Sequence, residues 1–243
     1  MLKNKNILIT GAGKGIGLSI LEKCINNSGF VYAVTRSKSD LKKYKSHHKV
    51  KIYYGDVKNY KLIDKIFKDS ILNKKIINCL VNNAGERQRI KFKSLTIKKF
   101  KYLFENNFFS IFYITQKFFL NLIKFKKKGS IVNIGSIVGN IGFNELVGYG
   151  SAKAALIGFT KCCAAEISKH NIRVNCINPG FIKTSYFQNF KKKKLYHWTL
   201  SRIPMKRWGT PEEISEMVVF LLSEKSNYIN GEIINIDGGW LAS

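Results

Sequence analysis

The stretch Asn6-Ile7-Leu8-Ile9-Thr10-Gly11-Ala12-Gly13-Lys14-Gly15-Ile16-Gly17 decides the fold. Its first five residues read as a short buried strand, and Gly15 to Asn27 reads as a helix with Ile16, Ile20 and Cys24 turned inward. Between them TGAGKGIG, Thr10 to Gly17, is a glycine-rich turn from strand to helix. Such a turn is an anion site: glycines let the backbone approach a pyrophosphate, and the free N–H groups at the helix start bind it. The spacing departs from GxGxxG, since Ile16 stands where the last glycine would be, and the Gly-Lys-Ser/Thr ending of a P-loop is missing. A tight turn with no ligand is the alternative this stretch alone leaves open.

Outward from the turn, Phe30 to Thr35 reads as a second strand followed by Arg36. In a dinucleotide fold the end of this strand faces the adenosine ribose. An acidic residue there binds the 2′-hydroxyl, and a basic one accommodates a 2′-phosphate. Arg36 occupies that position without a carboxylate, Asp40 comes later in an expected helix, and Lys14 adds a second cation. The expected cofactor is therefore NADP(H) in preference to NAD(H).

Val50 to Tyr54 reads as a third strand, followed by Gly55-Asp56-Val57 and an amphipathic helix through Asn73. Ile77 to Val81 is a fourth, leading into Asn82-Asn83-Ala84-Gly85. Gly129 to Gly135 is a fifth, ending at Ser136. Ile172 to Ile177 is a sixth, followed by Asn178-Pro179-Gly180 and Thr184, and Glu232 to Ile236 is the last. Strands alternating with helices predict a parallel sheet covered on both faces, with ligands at the strands' carboxyl ends. Leu95 to Phe125 reads as one long helical region whose aromatics occupy more than one face, as a subunit contact or a helix central to the monomer would require. Asn107 lies inside it among Phe104, Phe108 and Phe109, and a buried Asn needs partners or a role in the site.

Tyr149-Gly150-Ser151-Ala152-Lys153 carries the chemistry. On a helix its tyrosine and lysine share one face, a turn apart. An ammonium beside a phenol favours the phenolate and lowers a pKa that is ordinarily about 10, which suits the hydroxyl to acid/base work. Ser136, at a strand's carboxyl end, can converge with Tyr149 on one carbonyl oxygen.

Composition agrees with a single domain over residues 1–243. The 45% hydrophobic residues supply a core, and 23% charged residues argue against disorder. The net charge of +27 is almost entirely lysine spread along the chain. That distribution reads as solvated positions filled by composition bias rather than as a nucleic-acid surface. The five cysteines lack metal-ligand spacing and read as buried free thiols in a reducing compartment. No metal site is expected. The short apolar run Ile7 to Thr10 is neither a signal peptide nor a membrane span, so a cytoplasmic location is expected.

Taken together, TGAGKGIG, Asp56, Asn82 to Gly85, Asn107, Ser136, Tyr149 with Lys153, and Pro179-Gly180 with Thr184 resemble the short-chain dehydrogenase/reductase family from Asn6 onward. The resemblance implies a Rossmann-type, doubly wound parallel sheet of about seven strands, a nicotinamide cofactor and a homotetramer paired through Leu95 to Phe125. It implies that Tyr149 transfers the proton, that Lys153 binds the nicotinamide ribose and lowers the Tyr149 pKa, that Ser136 holds the substrate oxygen and that Asn107 anchors a water. Gly11, Gly13, Lys14, Gly15 and Ile16 would cradle the pyrophosphate, with Arg36 at the 2′ position and Asp56 and Val57 at the adenine. Asn83, Ala84 and Gly85 would lie along the ribose, and Pro179, Gly180, Ile182 and Thr184 at the carboxamide. Two subgroups share its texture, the 3-oxoacyl-(acyl-carrier-protein) reductases and the sugar or polyol dehydrogenases of the L-xylulose and gluconate types. The expected substrate is a small carbonyl or hydroxy compound, or else an acyl-carrier-protein thioester, covered by a lid over Ser185 to Arg202. A non-catalytic NADP(H)-binding or acidic-partner-binding protein is the reading from another class, against which the intact Asn107, Ser136, Tyr149 and Lys153 set speaks.

Overall fold

Along β1 (Asn6–Thr10) the side chains alternate between two apolar layers, which fixes the sheet at the centre of the molecule. Ile7 and Ile9 face Ile20, Leu21 and Cys24 of α1 (Gly15–Asn26) and Ile214, Val218 and Leu222 of α7 (Pro211–Leu222). Leu8 faces the other side. There Ile63, Ile66 and Phe67 of α2 (Tyr60–Leu72) pack with Ile114, Phe118 and Leu122 of α4 (Ser110–Phe125) and Ala164 and Ile167 of α5 (Val147–Ile167). Truncating a side chain as fully buried as Phe118 costs about 3–5 kcal/mol.

The structure is a computed structural model that describes residues 1–184, 187 and 194–242. The other strands among them are β2 (Phe30–Thr35), β3 (Val50–Tyr54), β4 (Cys79–Asn82), β5 (Gly129–Ile134), β6 (Ile172–Pro179) and β7 (Ile233–Ile236). All pairings are parallel, in the order β3-β2-β1-β4-β5-β6-β7. The order reverses between β1 and β4, and the crevice outside their carboxyl ends is where a doubly wound sheet takes its ligand. This is the expected Rossmann-type fold.

The expected long helical region runs unbroken from Ile97 to Phe125, with a π turn over Glu105–Phe109 between α3 (Ile97–Phe104) and α4. Asn107 lies in that turn, and π turns inside helices frequently mark functional positions. One local expectation is corrected: Asp40 is not on a helix. Its carboxylate accepts a hydrogen bond from the Thr35 hydroxyl at 2.7 Å, so the segment forms turns followed by a short 3-10 turn at Lys42–Tyr44. A local side-chain bond of this kind competes with helix formation.

The tail of the chain is better anchored than its sequence announces. Thr210 and Glu213 form a capping box at α7 with Pro211 in the first turn, and Arg207 grips Glu213 through both guanidinium nitrogens at 2.9 and 2.6 Å. Beside them Ile137, Ile203, Trp208 and Trp240 form a third apolar cluster with Phe143 and Phe181. The five cysteines are free thiols, but only Cys24, Cys79 and Cys176 are buried. Cys163 is half-buried and Cys162 is exposed on α5. No described helix is long and apolar enough to cross a membrane, and no metal-ligand cluster occurs among the described residues.

Candidate active site

The site begins with a cross-link between neighbouring strand ends. The Thr10 hydroxyl accepts from the backbone N–H groups of Asn83 and Ala84 at 3.0 Å each, while Asn83 Nδ2 donates to the carbonyls of Thr10 and Gly11 at 3.1 and 3.0 Å. These bonds lock the glycine turn to the Asn83–Gly85 segment. Gly11 and Gly15 have φ of +65° and +54°, which explains the glycines there. At Gly13 a Cβ would overlap the Asp40 carboxylate and the Thr35 hydroxyl, so only glycine leaves the turn open. Gly15 does not line the cleft; a Cβ on it would meet Thr184 at 3.2 Å, and it serves the close approach of that segment.

Two adjoining cavities run along the carboxyl ends of the strands. The first, about 520 Å³, is walled by Gly11, Gly13, Lys14, Arg36, Asp56, Val57, Asn83 and Ala84. The second, about 480 Å³, is walled by Ile16, Ser136, Tyr149, Lys153, Pro179, Gly180, Ile182 and Thr184. Lys14, Arg36, Asn83, Gly85 and Glu86 border both. An extended pair of cavities joined over a glycine turn, with cations beside the turn and a helix N-terminus under it, fits a dinucleotide. The expected site residues converge here, with two exceptions in the lining, Gly15 and Asn107.

Asn107 sits one layer behind. Its Oδ1 accepts from the Glu86 N–H at 3.0 Å, and its Nδ2 donates to the carbonyls of Glu86 and Leu103 at 2.9 and 2.8 Å. A Cβ on Gly85 would lie 2.7 Å from Asn107 Oδ1 and 3.7 Å from Lys153 Nζ, which measures how closely the three approach. Both Nδ2 hydrogens are thus taken by backbone carbonyls, and Oδ1 accepts one backbone N–H.

Ser136 leaves the end of β5, where its N–H donates to Asn178 Oδ1 at 3.1 Å. Its hydroxyl accepts from the Val138 N–H at 3.2 Å and shares the wall of the second cavity with Tyr149. The Lys153 ammonium donates to the Ile134 carbonyl at 2.7 Å and lies 5.8 Å from the centre of the Tyr149 ring. Desolvation opposes the effect expected of Lys153. Burial pushes the Tyr149 hydroxyl above its ordinary pKa, and the neighbouring Ser136 hydroxyl and Arg87 guanidinium only partly oppose this. Burial likewise pulls the Lys153 ammonium down to about 8. In this site desolvation outweighs charge proximity.

Arg36 borders the first cavity, as expected, but carboxylates are not absent. Glu86 Oε2 lies 3.8 Å from Arg36 Nη1, and the Asp40 carboxylate lies over Gly13. The sequence reading missed Glu86, Arg87 and the aromatic wall of Phe143, Phe181 and Trp208 in the second cavity. Only the charge pair directly after Asn83–Gly85 could have signalled the first two. Of the expected lid, Ser185, Tyr186 and Gln188 to Lys193 lie outside the described residues. Lys194 to Arg202 form α6 (Lys194–Arg202), whose Tyr196 packs on Trp208 and whose Trp198 packs on Trp240. His197 is exposed.

A serine, a tyrosine and a lysine beside a dinucleotide-shaped cleft define an oxidoreductase site. The comparisons agree. A family model described as enoyl-(acyl carrier protein) reductase matches residues 11–241. The 3-oxoacyl-(acyl-carrier-protein) reductase FabG of Buchnera aphidicola (subspecies Schizaphis graminum) is 36% identical over 241 residues, 98% of each chain. FabG of Thermotoga maritima is 34% identical over 243 residues, again 98% of each. Among solved structures, a 4-hydroxyisoleucine dehydrogenase complexed with NADH superposes with a TM-score of 0.93 at 33% identity, covering 98% of this chain and 99% of that one. The chain belongs to the short-chain dehydrogenase/reductase family, and it is an oxidoreductase of the kind that uses a nicotinamide dinucleotide.

Proposed function

We propose that the protein reduces a ketone to a secondary alcohol with NADPH, and that the ketone is the 3-oxo group of an acyl chain held as a thioester on an acyl-carrier protein. The observation that carries the chemistry is the meeting of Ser136, Tyr149 and Lys153 at the carboxyl end of β5, beside the dinucleotide-shaped cleft. The nicotinamide supplies the hydride. Tyr149, a phenol and so protonated at neutral pH, gives its proton to the substrate oxygen, which the Ser136 hydroxyl holds. Lys153 keeps a positive charge near the phenol and would hold the nicotinamide ribose. Asn107 fixes the Glu86 backbone beside Gly85.

Full-length likeness to FabG proteins supports the substrate. The basic surface of a chain with net charge +27 suits an acidic carrier. Lys14 and Arg36 beside the first cavity support the NADP(H) preference, with Asp40 occupied by Thr35. In this reading the enzyme is a cytoplasmic homotetramer assembled through the exposed Phe109, Phe112, Leu120 and Ile123 around α4.

A second reading, reduction of a small hydroxylated or anionic ketone, is favoured by Arg87 on the substrate side of the cleft. NADPH absorbance followed on a 3-oxoacyl thioester, on its carrier-bound form and on a set of ketoses and keto acids separates the two. Turnover of the carrier-bound form well above every ketose and keto acid is expected; the reverse order would reject the thioester.

A further inference from the structure

Above the glycine turn the two walls of the cleft meet again through an ion pair. Arg36 stands at the end of β2 and Glu86 just beyond β4, and their side chains meet with Nη1 3.8 Å from Oε2. Both residues border both cavities, so the pair stands at the edge where the two adjoin, within reach of the end of β2.

Glu86 is held where it stands. Gln88 Nε2 donates to its Oε1 at 2.6 Å, and the Tyr102 hydroxyl donates to its Oε2 at 2.9 Å. Its backbone is clamped on both sides by Asn107. Arg36 is the more exposed partner, with its side chain 63% exposed against 24% for Glu86. The other carboxylates of the first cavity are otherwise engaged, Asp40 by the Thr35 hydroxyl at 2.7 Å and Asp56 by Lys58 at 3.8 Å. Glu86 is thus the carboxylate that faces Arg36 in an ion pair.

We propose that Glu86 is a specificity-determining counter-charge, which competes with the 2′-phosphate of NADP(H) for Arg36 and so lowers the enzyme's preference for that cofactor. The inference rests on the reading of Arg36 as the 2′-phosphate ligand. Binding exchanges a fixed carboxylate for a phosphate at the same guanidinium, and NAD(H), which lacks that phosphate, gains nothing from the exchange. A partly exposed ion pair is a small obstacle, and its removal is expected to act on the scale of a two- to fivefold change in affinity.

The test is a double-mutant cycle of dissociation constants for NADPH and NADH at low ionic strength, over wild type, Glu86→Gln, Arg36→Ala and the double variant. Glutamine keeps acceptor and donor atoms for Gln88 and Tyr102, and Glu86→Met serves as a second charge-removing variant if the first melts early. The expected result is NADPH binding two- to fivefold tighter in Glu86→Gln, NADH unchanged, and no effect of Glu86→Gln once Arg36 is alanine. Unchanged NADPH affinity, or equal tightening of both cofactors, would overturn the proposal. If Arg36→Ala leaves the ratio of the two affinities as in wild type, the NADP(H) reading itself fails, which the cycle distinguishes from failure of the Glu86 role alone.

Discussion

The Lys153 ammonium lies 5.8 Å from the centre of the Tyr149 ring and gives a hydrogen bond to the Ile134 carbonyl at 2.7 Å. Its charge is therefore held near the phenol by a main-chain anchor on β5. The consequence is a buried ammonium with a pKa pulled down to about 8 by the loss of water around it.

Two measurements follow for Lys153. In the free enzyme kcat/KM for reduction is expected to be flat below pH 7 and to fall above about pH 8, as the ammonium loses its proton. Tyr149, pushed above its ordinary value, stays protonated through that window. The stability effect has a definite sign. Between about pH 8 and 10.5 the unfolded chain holds a proton on Lys153 that the folded chain has released, so this residue's contribution to stability rises with pH. Below pH 8 its burial penalty is complete, on the order of 3 kcal/mol. Lys153→Met is expected to melt higher than wild type at pH 7, with the gap closing as the pH rises, while activity is lost. A variant that melts lower at pH 7 would contradict this.

On the proposed reading Arg36 sets the cofactor preference. Hydrogen bonds to charged groups are worth about 1.5–3 kcal/mol. With Arg36 largely exposed and facing Glu86, the lower end applies, and wild type is expected to bind NADPH about tenfold more tightly than NADH. Arg36→Asp should reverse that order, by repelling the phosphate and offering the 2′-hydroxyl an acceptor. Equal affinities in the wild type, read from titrations of both reduced cofactors, would remove the residue from this role.

Phe112 and Leu120 on α4 are 46% and 54% exposed, although Phe118 and Leu122 on the same helix are fully buried. A second apolar face of this kind calls for a partner. Light scattering at micromolar concentration is expected to show a tetramer, and Phe112→Glu with Leu120→Glu to reduce it to smaller species. A stable wild-type monomer would reject the assembly.

The sequence made the strands and the glycine turn legible because their signals are local. Ile7 to Gly17 contains both the strand period and the turn chemistry, and Tyr149 and Lys153 need only a helix to share a face. What it concealed depends on contacts distant in the chain or on burial. The π turn at Glu105–Phe109 appears where Asn107 must reach Glu86, twenty-one residues away, and nothing in the Phe-rich run announces it. Asp40 was expected on a helix because its local bond to Thr35, which competes with helix formation, leaves no mark in the residue pattern. The Tyr149 pKa direction was expected downward because a neighbouring lysine is visible in sequence and desolvation is not. The aromatic wall of Phe143, Phe181 and Trp208, with Trp240 packed behind it, unites residues from four separate stretches.

The measurement that bears most directly on the chemistry is turnover of Tyr149→Phe with NADPH and the best substrate of the panel. The variant removes one oxygen and leaves the half-buried ring in place on the cavity wall. NADPH should bind as in wild type, and turnover should fall by at least a hundredfold and up to about ten-thousandfold, the range that a positioned proton donor supplies. A variant that keeps half the wild-type rate would mean that the proton comes from another group, and that Tyr149 is not the acid of this site.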